Sequence, residues 1–365
     1  MSTLPDMIAA ALADPLRAAR AWAGDGGRVV GLVGADTPTE PVLGVGALPV
    51  SLLAAARGEA SEAARYFEPS FLPAVRAVAA RWLRGELDAF EAVVFSRGDD
   101  SAQRAYYYLC ELQRRGQVGG PLPLIFDVAK IARASSLAHT EGSLRGLAEQ
   151  LRCDAVSLAR GLEMRNRRRA LLERLDRLRC SERSPPGSLC AELLGAAELI
   201  APEPFDAALA CWLDGAFPPQ AGARVLLAGS APPDARLHRA VESGGGCVVA
   251  ELEGDSAARA VPMPADPTQT PAVLARHYQG LALGARSCVD RAAQLVSRAR
   301  QSSAQAVILW LIEEDESLVW QLPEMVTALT SVQLPLLTLT RQRWDLQSDA
   351  LERVTAFTRA LACPT

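Results

Sequence analysis

The stretch LPAVRAVAARWLRGELDAFEAVVFSRGDDSAQRAYYY, residues 72–108, sets the fold of this chain. Its pattern predicts a helix, a short link, a buried strand at Ala92–Ser96, a tight polar loop and a second helix. In an open parallel sheet, ligands and reacting groups sit in the loops that follow the carboxyl ends of the strands. The loop here is RGDDS at 97–101, so a functional site is expected there first.

The same pattern extends outward through the first half of the chain. Three further segments have the composition of buried strands: Arg28–Val33, Ala47–Val50 and Leu122–Phe126. Helical patterns separate these segments, which favours a parallel sheet with crossover helices. A long charged segment, Ser143–Arg179, then predicts a helix.

A proline- and glycine-rich linker, FPPQAG at 217–222, precedes a second copy of this pattern. Four strands are predicted after it: Arg224–Ala228, Cys247–Glu251, Ala306–Leu311 and Leu334–Thr338. One long helix is predicted from about Ala272 to Gln301.

We therefore predict an α/β fold with two domains, each a small parallel sheet flanked by helices, plus helical N-terminal and inter-domain segments. The expected bounds are an N-terminal helix at 1–25, a first domain with a helical extension at 26–216, and a second domain at 223–365. A single larger doubly wound sheet is the alternative.

Composition excludes several classes of function. The net charge is −4 and the pI about 5.6, so no electrostatic footprint for nucleic acid is present. No apolar run reaches the ~18–20 residues of a membrane span. Eight cysteines lie far apart without tight metal spacing, which predicts a reduced, cytoplasmic protein. The basic run RNRRR at 165–169 is interpreted as a solvated helix face, with a phosphate contact as the alternative.

Polar residues follow predicted strands in both halves. Asp36-Thr37-Pro38 fits a helix start better than a catalytic role for Asp36, and the acids at 99–100 can cap the helix that follows them. Glu313–Glu316 could bind Mg²⁺ or Ca²⁺ together with Asp99, but a solvated acidic turn is favoured. The segments 229–230 and 253–256 are further candidates in the second half.

Familiar catalytic signatures are absent from the sequence. It contains no GxSxG, no P-loop and no GxGxxG after a strand. The three histidines are scattered, without a nucleophile motif around them. A self-contained hydrolase, kinase or dinucleotide enzyme is therefore not supported.

Four blocks, taken in order, resemble the 2-hydroxyacyl-CoA dehydratase and benzoyl-CoA reductase family. They are Pro38–Val50, Leu72–Tyr106, Arg224–Val249 and Val307–Phe357. Each block is weakly specific, but their order and spacing span nearly the whole chain. The resemblance implies the two-domain α/β fold and a subunit that works on acyl-CoA.

In that family, cysteine thiolates hold a [4Fe–4S] cluster. The resemblance places those positions at Gly34, Leu72, Asp99 and Asp315, and none is cysteine. The residues that follow them match the family better than the ligand positions do: Pro73, Val75, Arg76, Asp100, Ser101, Arg104, Tyr106 and Pro323. The resemblance therefore implies the fold and the assembly, while the ligands of the cofactor are missing.

From this resemblance we expect a cluster-free subunit that pairs with a homologous [4Fe–4S]-bearing subunit and shapes half of an acyl-CoA site, with an ATP-dependent activator as a further partner. No cofactor is expected on this chain alone. The expected substrate-binding residues are Gly34, Thr37, Ser101 and Arg104, where Arg104 pairs either with Asp100 or with acyl-CoA, the internal pair being favoured. The candidate catalytic groups are Glu40, Asp99 and Asp315.

Three alternatives stay open at this point. The chain could be a repurposed enzyme that uses the carboxylates of Asp99 and Asp315 in an inter-domain cleft, with or without a divalent metal. It could also be a non-catalytic acyl-CoA-binding scaffold. A cluster held by Cys153, Cys180, Cys190 and Cys211 is disfavoured because the gaps between them are wide and a helical pattern surrounds Cys153 and Cys180. A cluster shared across a subunit interface through Cys110 is disfavoured because its position on the predicted helix indicates buried packing.

Overall fold

A computed structural model of the chain describes residues 3–56, 61–253, 270–281 and 289–362. By its internal contacts the chain divides into two compact units. The first draws on Met1–Leu171, Gly195–Leu209 and Val261–Cys288, and the second on Leu172–Leu194, Ala210–Ala260 and Val289–Thr365. The sequence-based boundary at 217–222 stays a prediction, because a division by contacts does not test which segments fold alone.

The first unit is built on a parallel sheet in the order β2-β1-β3-β4. Its strands are β1 (Val29–Val33), β2 (Leu48–Ser51), β3 (Ala92–Ser96) and β4 (Leu122–Phe126). The helices before and between these strands are α1 (Leu4–Ala13), α2 (Arg17–Gly24), α3 (Glu40–Gly44), α4 (Pro73–Leu83) and α5 (Asp100–Arg114). A 3₁₀ turn covers Glu62–Arg65.

Four helices follow β4 along the chain. They are α6 (Ala134–Gln150), α7 (Ala155–Arg179), α8 (Gly187–Ala197) and α9 (Pro202–Leu213). Helix α7 contributes residues to each unit, since the division falls between residues 171 and 172. A further helix, α11 (Thr270–Gly280), belongs to the first unit.

The second unit repeats the architecture with the order β6-β5-β7-β8, again all parallel. Its strands are β5 (Ala223–Gly229), β6 (Gly246–Glu253), β7 (Ala306–Ile312) and β8 (Leu336–Gln342). Its remaining helices are α10 (Arg236–Ser243), α12 (Arg291–Gln301), α13 (Glu316–Val319), α14 (Leu322–Ser331) and α15 (Ser348–Ala362). The predicted fold class, two small parallel sheets flanked by helices, is confirmed.

Continuous apolar runs form the inner strands because both faces of a parallel sheet are covered. Strands β1, β3 and β7 are buried at every position. Local signals fix where helices begin: Pro73 opens α4, Asp99 accepts a hydrogen bond from the Ala102 amide at 2.7 Å at the start of α5, and Asp290 caps α12 in the same way.

Three helix predictions need correction. The segment Ser143–Arg179 is interrupted after Gln150, where Arg152 has a φ of 59° and Asp154 accepts from the Ser157 amide to start α7. The predicted helix from Ala272 to Gln301 is two helices, α11 and α12, because Asp290 is in an extended conformation. The N-terminal helix is likewise two helices, α1 and α2.

Two further observations bear on the sequence-based expectations. The candidate segment 253–256 lies outside the described residues beyond Glu253. Among the described helices, none combines the length and the apolar character needed to cross a membrane.

Candidate functional site

Each sheet has one point at which the strand order reverses, and ligands of open α/β sheets bind there, outside the carboxyl ends of the strands. In the first unit the reversal lies between β1 and β3, which end next to Gly34 and the 97–101 loop. In the second unit it lies between β5 and β7, which end next to Ser230 and Asp315. The topology therefore places the sequence-derived candidates at the two switch points.

Gly34 is required by the backbone at the first switch point. Its φ is 126°, in the left-handed region, and a Cβ there would lie 2.5 Å from the Cβ of Ser96 on β3. A residue with a side chain would be strained by the backbone and would also displace Ser96. Gly34 can contribute its main chain to a site, but no side chain fits in its place.

Asp36 and Lys130 form a buried ion pair beside Gly34. The Lys130 Nζ lies 3.0 Å from Asp36 Oδ2, and the two side chains are 3% and 5% exposed. The same ammonium donates to the carbonyl oxygens of Tyr278 at 2.9 Å and Leu281 at 3.4 Å. The Asp36 carboxylate lies against Gly98, where a Cβ would come within 2.4 Å of Oδ2. This ion pair fills the space between the end of β1 and the loop after β3.

Glu40, a candidate catalytic group, is fully buried at the start of α3. Its carboxylate accepts from the Tyr278 hydroxyl at 2.6 Å and from Arg169 Nη2 at 2.9 Å. Burial alone would raise the pKa of Glu40, but the charge of Arg169 and the Tyr278 hydroxyl outweigh it and hold the pKa below its usual range. Glu40 is therefore a charged structural acceptor, with both carboxylate oxygens in use.

His277 extends this cluster. Its Nε2 lies 3.4 Å from Arg169 Nη2. Burial, reinforced by the charge of Arg169, lowers the pKa of His277 to about 4, so the imidazole is neutral at physiological pH.

Most of the basic run at 165–169 is not a solvated face, contrary to the sequence-based interpretation, and only Arg167 among its four arginines is exposed. Arg168 and Arg169 are buried, and Arg165 lies 3.8 Å from Glu198. Arg168 donates to Asp206 at 2.6 Å and to main-chain carbonyl oxygens. The run supplies inward-facing cations for carboxylates that come from distant parts of the first unit, because a buried charge must be paired.

The remaining first-unit candidates are mostly engaged in local structure. The Thr37 hydroxyl donates to the Gly34 carbonyl, and the Ser101 hydroxyl accepts from the Leu72 amide at 3.0 Å. Arg104 lies 3.2 Å from Glu68 and 3.7 Å from Asp100, and its guanidinium stacks 4.0 Å above the Phe71 ring. The favoured internal pair of Arg104 with Asp100 is present, and one third of the Arg104 side chain remains exposed.

The second switch point is built from hydroxyl contacts. The Ser230 hydroxyl donates to Asp315 Oδ2 at 3.0 Å, and the Ser317 hydroxyl donates to Oδ1 at 2.9 Å. Asp315 is partly exposed and also interacts electrostatically with Arg291. Gly229 has a φ of 116°, and a Cβ there would lie 2.2 Å from the carbonyl oxygen of Trp310 on β7.

The residues at the family's ligand positions do not fit an iron–sulfur cluster. Thiolates are the ligands that such clusters need. Gly34 leaves no room for a side chain, Leu72 has no donor atom, and Asp99 accepts from the Ala102 amide as a helix cap. Within residues 3–56, 61–253, 270–281 and 289–362, no three His, Cys, Asp or Glu side chains are arranged as metal ligands.

Five of the six described cysteines are buried or partly buried thiols, and the sixth, Cys211, is exposed. Burial raises the pKa of Cys153 to about 11 and that of Cys190 to about 12, and it also raises the pKa values of Cys110, Cys180 and Cys247. Protonated thiols are poor metal ligands. Cys153 lies in the first unit, whereas Cys180, Cys190 and Cys211 lie in the second.

Lys130 and Tyr278 were missed by sequence reasoning, although one signal for Lys130 was available. Of the 38 basic residues in the chain, Lys130 is the single lysine. An ammonium offers three N–H donors in a tetrahedral arrangement, and three acceptors surround it here. A lone lysine among arginines was therefore a signal that this position differs from the others, because the two side chains are not interchangeable.

The two units together define an α/β subunit with a candidate ligand edge at the switch point of each sheet. A family model for the 2-hydroxyglutaryl-CoA dehydratase D-component (HGD-D) matches residues 35–361. Since this match covers nearly the whole chain, the protein belongs to that family, and the resemblance found in the sequence is confirmed. The family name describes one component of a dehydratase complex. A comparison with curated proteins gave no match.

Proposed function

We propose that this chain is a cluster-free subunit of a complex related to 2-hydroxyacyl-CoA dehydratases and benzoyl-CoA reductases, and that it shapes half of an acyl-CoA site beside a homologous [4Fe–4S]-bearing subunit. One observation carries the proposal. The space between Gly34 and the loop after β3 is occupied by the Asp36–Lys130 ion pair, in a chain matched over 35–361 by the dehydratase family.

In this proposal the chain positions substrate and does not itself transfer electrons. The first switch point is closed by buried ion pairs, which makes it a rigid wall. Arg104 is the candidate for contact with substrate, because its guanidinium is partly exposed and can reach a carbonyl or phosphate oxygen. The redox step belongs to the partner's cluster and to an ATP-dependent activator.

The first test is the content of iron and acid-labile sulfide, with a visible spectrum, in protein purified without oxygen. The chain is prepared alone and co-expressed with its genomic neighbours. We expect no iron in the chain alone and iron in a complex that contains a homologous subunit. Stoichiometric iron in the chain alone, or the absence of a complex with any cluster-bearing homologue, would contradict the proposal.

The lack of other lysines gives a direct test for the acyl-CoA site. In the variant Arg104→Lys, an amine near a bound thioester is acylated faster because proximity raises its effective concentration. The control is Arg341→Lys in the second unit, where the native side chain is 82% exposed. If the lysines at positions 104 and 341 were acylated equally in the assembled complex, after correction for the exposed area of each amine, Arg104 would not be part of the acyl-CoA site.

The alternative of a carboxylate enzyme has less support from the geometry. Asp99 caps α5, and both oxygens of Asp315 accept hydrogen bonds from serine hydroxyls. If Asp99→Asn left activity and metal binding unchanged, Asp99 would be excluded as a catalytic carboxylate and this alternative would fail. Calorimetry that shows no acyl-CoA binding, by the chain alone or with a partner, would remove the alternative of a scaffold that binds acyl-CoA without turnover. A cytoplasmic location stays a prediction.

A further inference from the structure

The chain has almost no lysine. Its 38 basic residues include the single lysine Lys130, although lysine is among the commonest residues of globular proteins. Arginine supplies all the other cations, both in buried pairs such as Arg169 with Glu40 and at exposed positions such as Arg341 and Arg114. The surface therefore carries positive charge without primary amines on its side chains.

The difference matters for a protein that works beside a thioester. A neutral lysine amine attacks the carbonyl carbon of an acyl-CoA: an N–C bond forms, the C–S bond breaks, and the proton leaves the nitrogen as the CoA thiol is released. The product is a stable amide, and no oxidant or reductant is needed. A guanidinium stays protonated and delocalised at any physiological pH and does not react in this way.

The one lysine is protected by its surroundings. The Lys130 side chain is 3% exposed, and its Nζ lies within 3.4 Å of three acceptors: Asp36 Oδ2 and the carbonyl oxygens of Tyr278 and Leu281. These acceptors and the burial of the side chain leave the Lys130 nitrogen no open face toward solvent. A thioester would also have to enter the core of the first unit to reach it.

We propose that the folded chain presents no lysine amine to acyl-CoA and that this makes it resistant to N-acylation by the thioester it helps to bind. The presence of a thioester beside this chain rests on the proposed function. The resistance to acylation is argued from the single lysine in the sequence and from its burial. Exposed lysines at the same sites would be acylated, and each amide would remove a positive charge from the surface.

The test uses the full-length folded chain, incubated with acetyl-CoA or succinyl-CoA at mildly alkaline pH. Intact mass after thiol treatment, which removes thioesters from cysteines, counts the amides, and peptide mapping locates them. The α-amino group is scored separately. Arg341→Lys and Arg114→Lys, both at sites more than 70% exposed, are the matched controls, and we expect each to gain one amide.

In the wild-type chain we expect acylation of Lys130 to be at least about 100-fold slower than that of the introduced lysines. This follows from the fraction of time the core is open, which is small for a buried group. Unfolding in urea before the reaction should make Lys130 react like the controls, which verifies that the peptide is detected. Acylation of Lys130 in the folded chain at a rate within tenfold of the rate at the introduced amine of Arg341→Lys overturns the proposal.

The outcome is independent of whether the chain assembles with a dehydratase partner, which is determined by co-purification. A reactive Lys130 with an intact complex would refute the resistance alone. An inert chain that forms no complex would refute the proposed function alone.

Discussion

In both units a glycine with a left-handed φ stands at the carboxyl end of the first strand: Gly34 directly after β1 and Gly229 as the last residue of β5, each close to the neighbouring strand. The residues after the glycine differ between the units. In the first unit the switch point is closed by buried charges, with Asp36 held by Lys130 and Glu40 held by Arg169 and Tyr278. In the second, a partly exposed Asp315 is held by the hydroxyls of Ser230 and Ser317.

The contrast shows that the same backbone arrangement can carry either buried ion pairs or a partly exposed carboxylate held by hydroxyl groups. The first edge is a fixed part of the core, because each buried charge there depends on its partners. The second edge can change its contacts at little cost, because its carboxylate already reaches water. We expect substitutions to have large effects on stability at the first edge and small effects at the second.

The largest effect is expected for Glu40→Gln. The substitution leaves the Arg169 guanidinium buried without its counter-charge, which costs about 3–5 kcal/mol of unfolding free energy. Asp315→Asn, the matched change at the second edge, should cost about 1 kcal/mol or less. Urea unfolding together with hydrogen exchange of peptides from each unit measures both variants.

A double variant tests the cause of that loss. Glu40→Gln with Arg169→Met removes both charges, and it should recover part of the stability lost in Glu40→Gln. If Glu40→Gln and Asp315→Asn cost the same, the contrast between the edges is wrong.

The next largest effect is expected for Lys130→Arg, which keeps the charge. The planar guanidinium cannot face the Asp36 carboxylate and the two carbonyl oxygens from the position of Nζ. We expect a loss of roughly 2–4 kcal/mol, close to that of Lys130→Met. Thermal unfolding of the two variants measures it, and a stable Lys130→Arg would show that charge alone is enough at this site.

Replacement of the switch-point glycines tests the feature that the edges share. Gly229→Ala places a Cβ against the immobile carbonyl of Trp310, and we expect a cost of about 2 kcal/mol or more from strain and crowding. Gly34→Ala should be partly rescued by Ser96→Gly, since its obstacle is a side chain. Gly46→Ala is the control, because Gly46 has a φ of 71° and open space around it, so only the strain of about 1–2 kcal/mol remains.

The pH dependence of the unfolding free energy tests the first edge through His277. The folded pKa of His277 is about 4, below the unfolded value near 6.5. The neutral form is therefore favoured in the fold. Its contribution is fully present above about pH 6.5 and declines by up to about 1.4 kcal/mol per pH unit toward pH 4.

Unfolding free energies measured between pH 7 and 5 should show this decline. His277→Asn should flatten it within that range. An unchanged slope in His277→Asn would mean that other groups of the first unit account for the acid sensitivity.

Much of the fold could be predicted from the sequence because its signals are local. The apolar run at 92–96 and the Asp99 cap predict the strand and the helix start as the structure has them. The parallel direction of the strands followed from the helices between them. The order of the strands, and with it the position of the two switch points, came only from the structure.

The charge network could not be predicted in the same way. Arg169 and Glu40 are 129 residues apart, and Tyr278 is 238 residues from Glu40. A helical basic run with acids on neighbouring turns has the pattern of a solvated face, and burial of Arg168 and Arg169 depends on carboxylates that only the tertiary fold brings near. The helix boundaries at residues 151–154 and 290 were missed because single capping residues are weak signals inside long helical patterns.

The hydrogen bond between Glu40 and Tyr278 also limits when the first unit can complete its fold during synthesis. A ribosome adding ~5–20 residues per second needs roughly 12–48 s to make the 238 residues that separate them. Throughout that interval the nascent chain carries a carboxylate whose hydroxyl partner does not yet exist. The first sheet can form early, but its sealed edge is completed only after residues 172–194 and 210–260, about half of the second unit, have been synthesised.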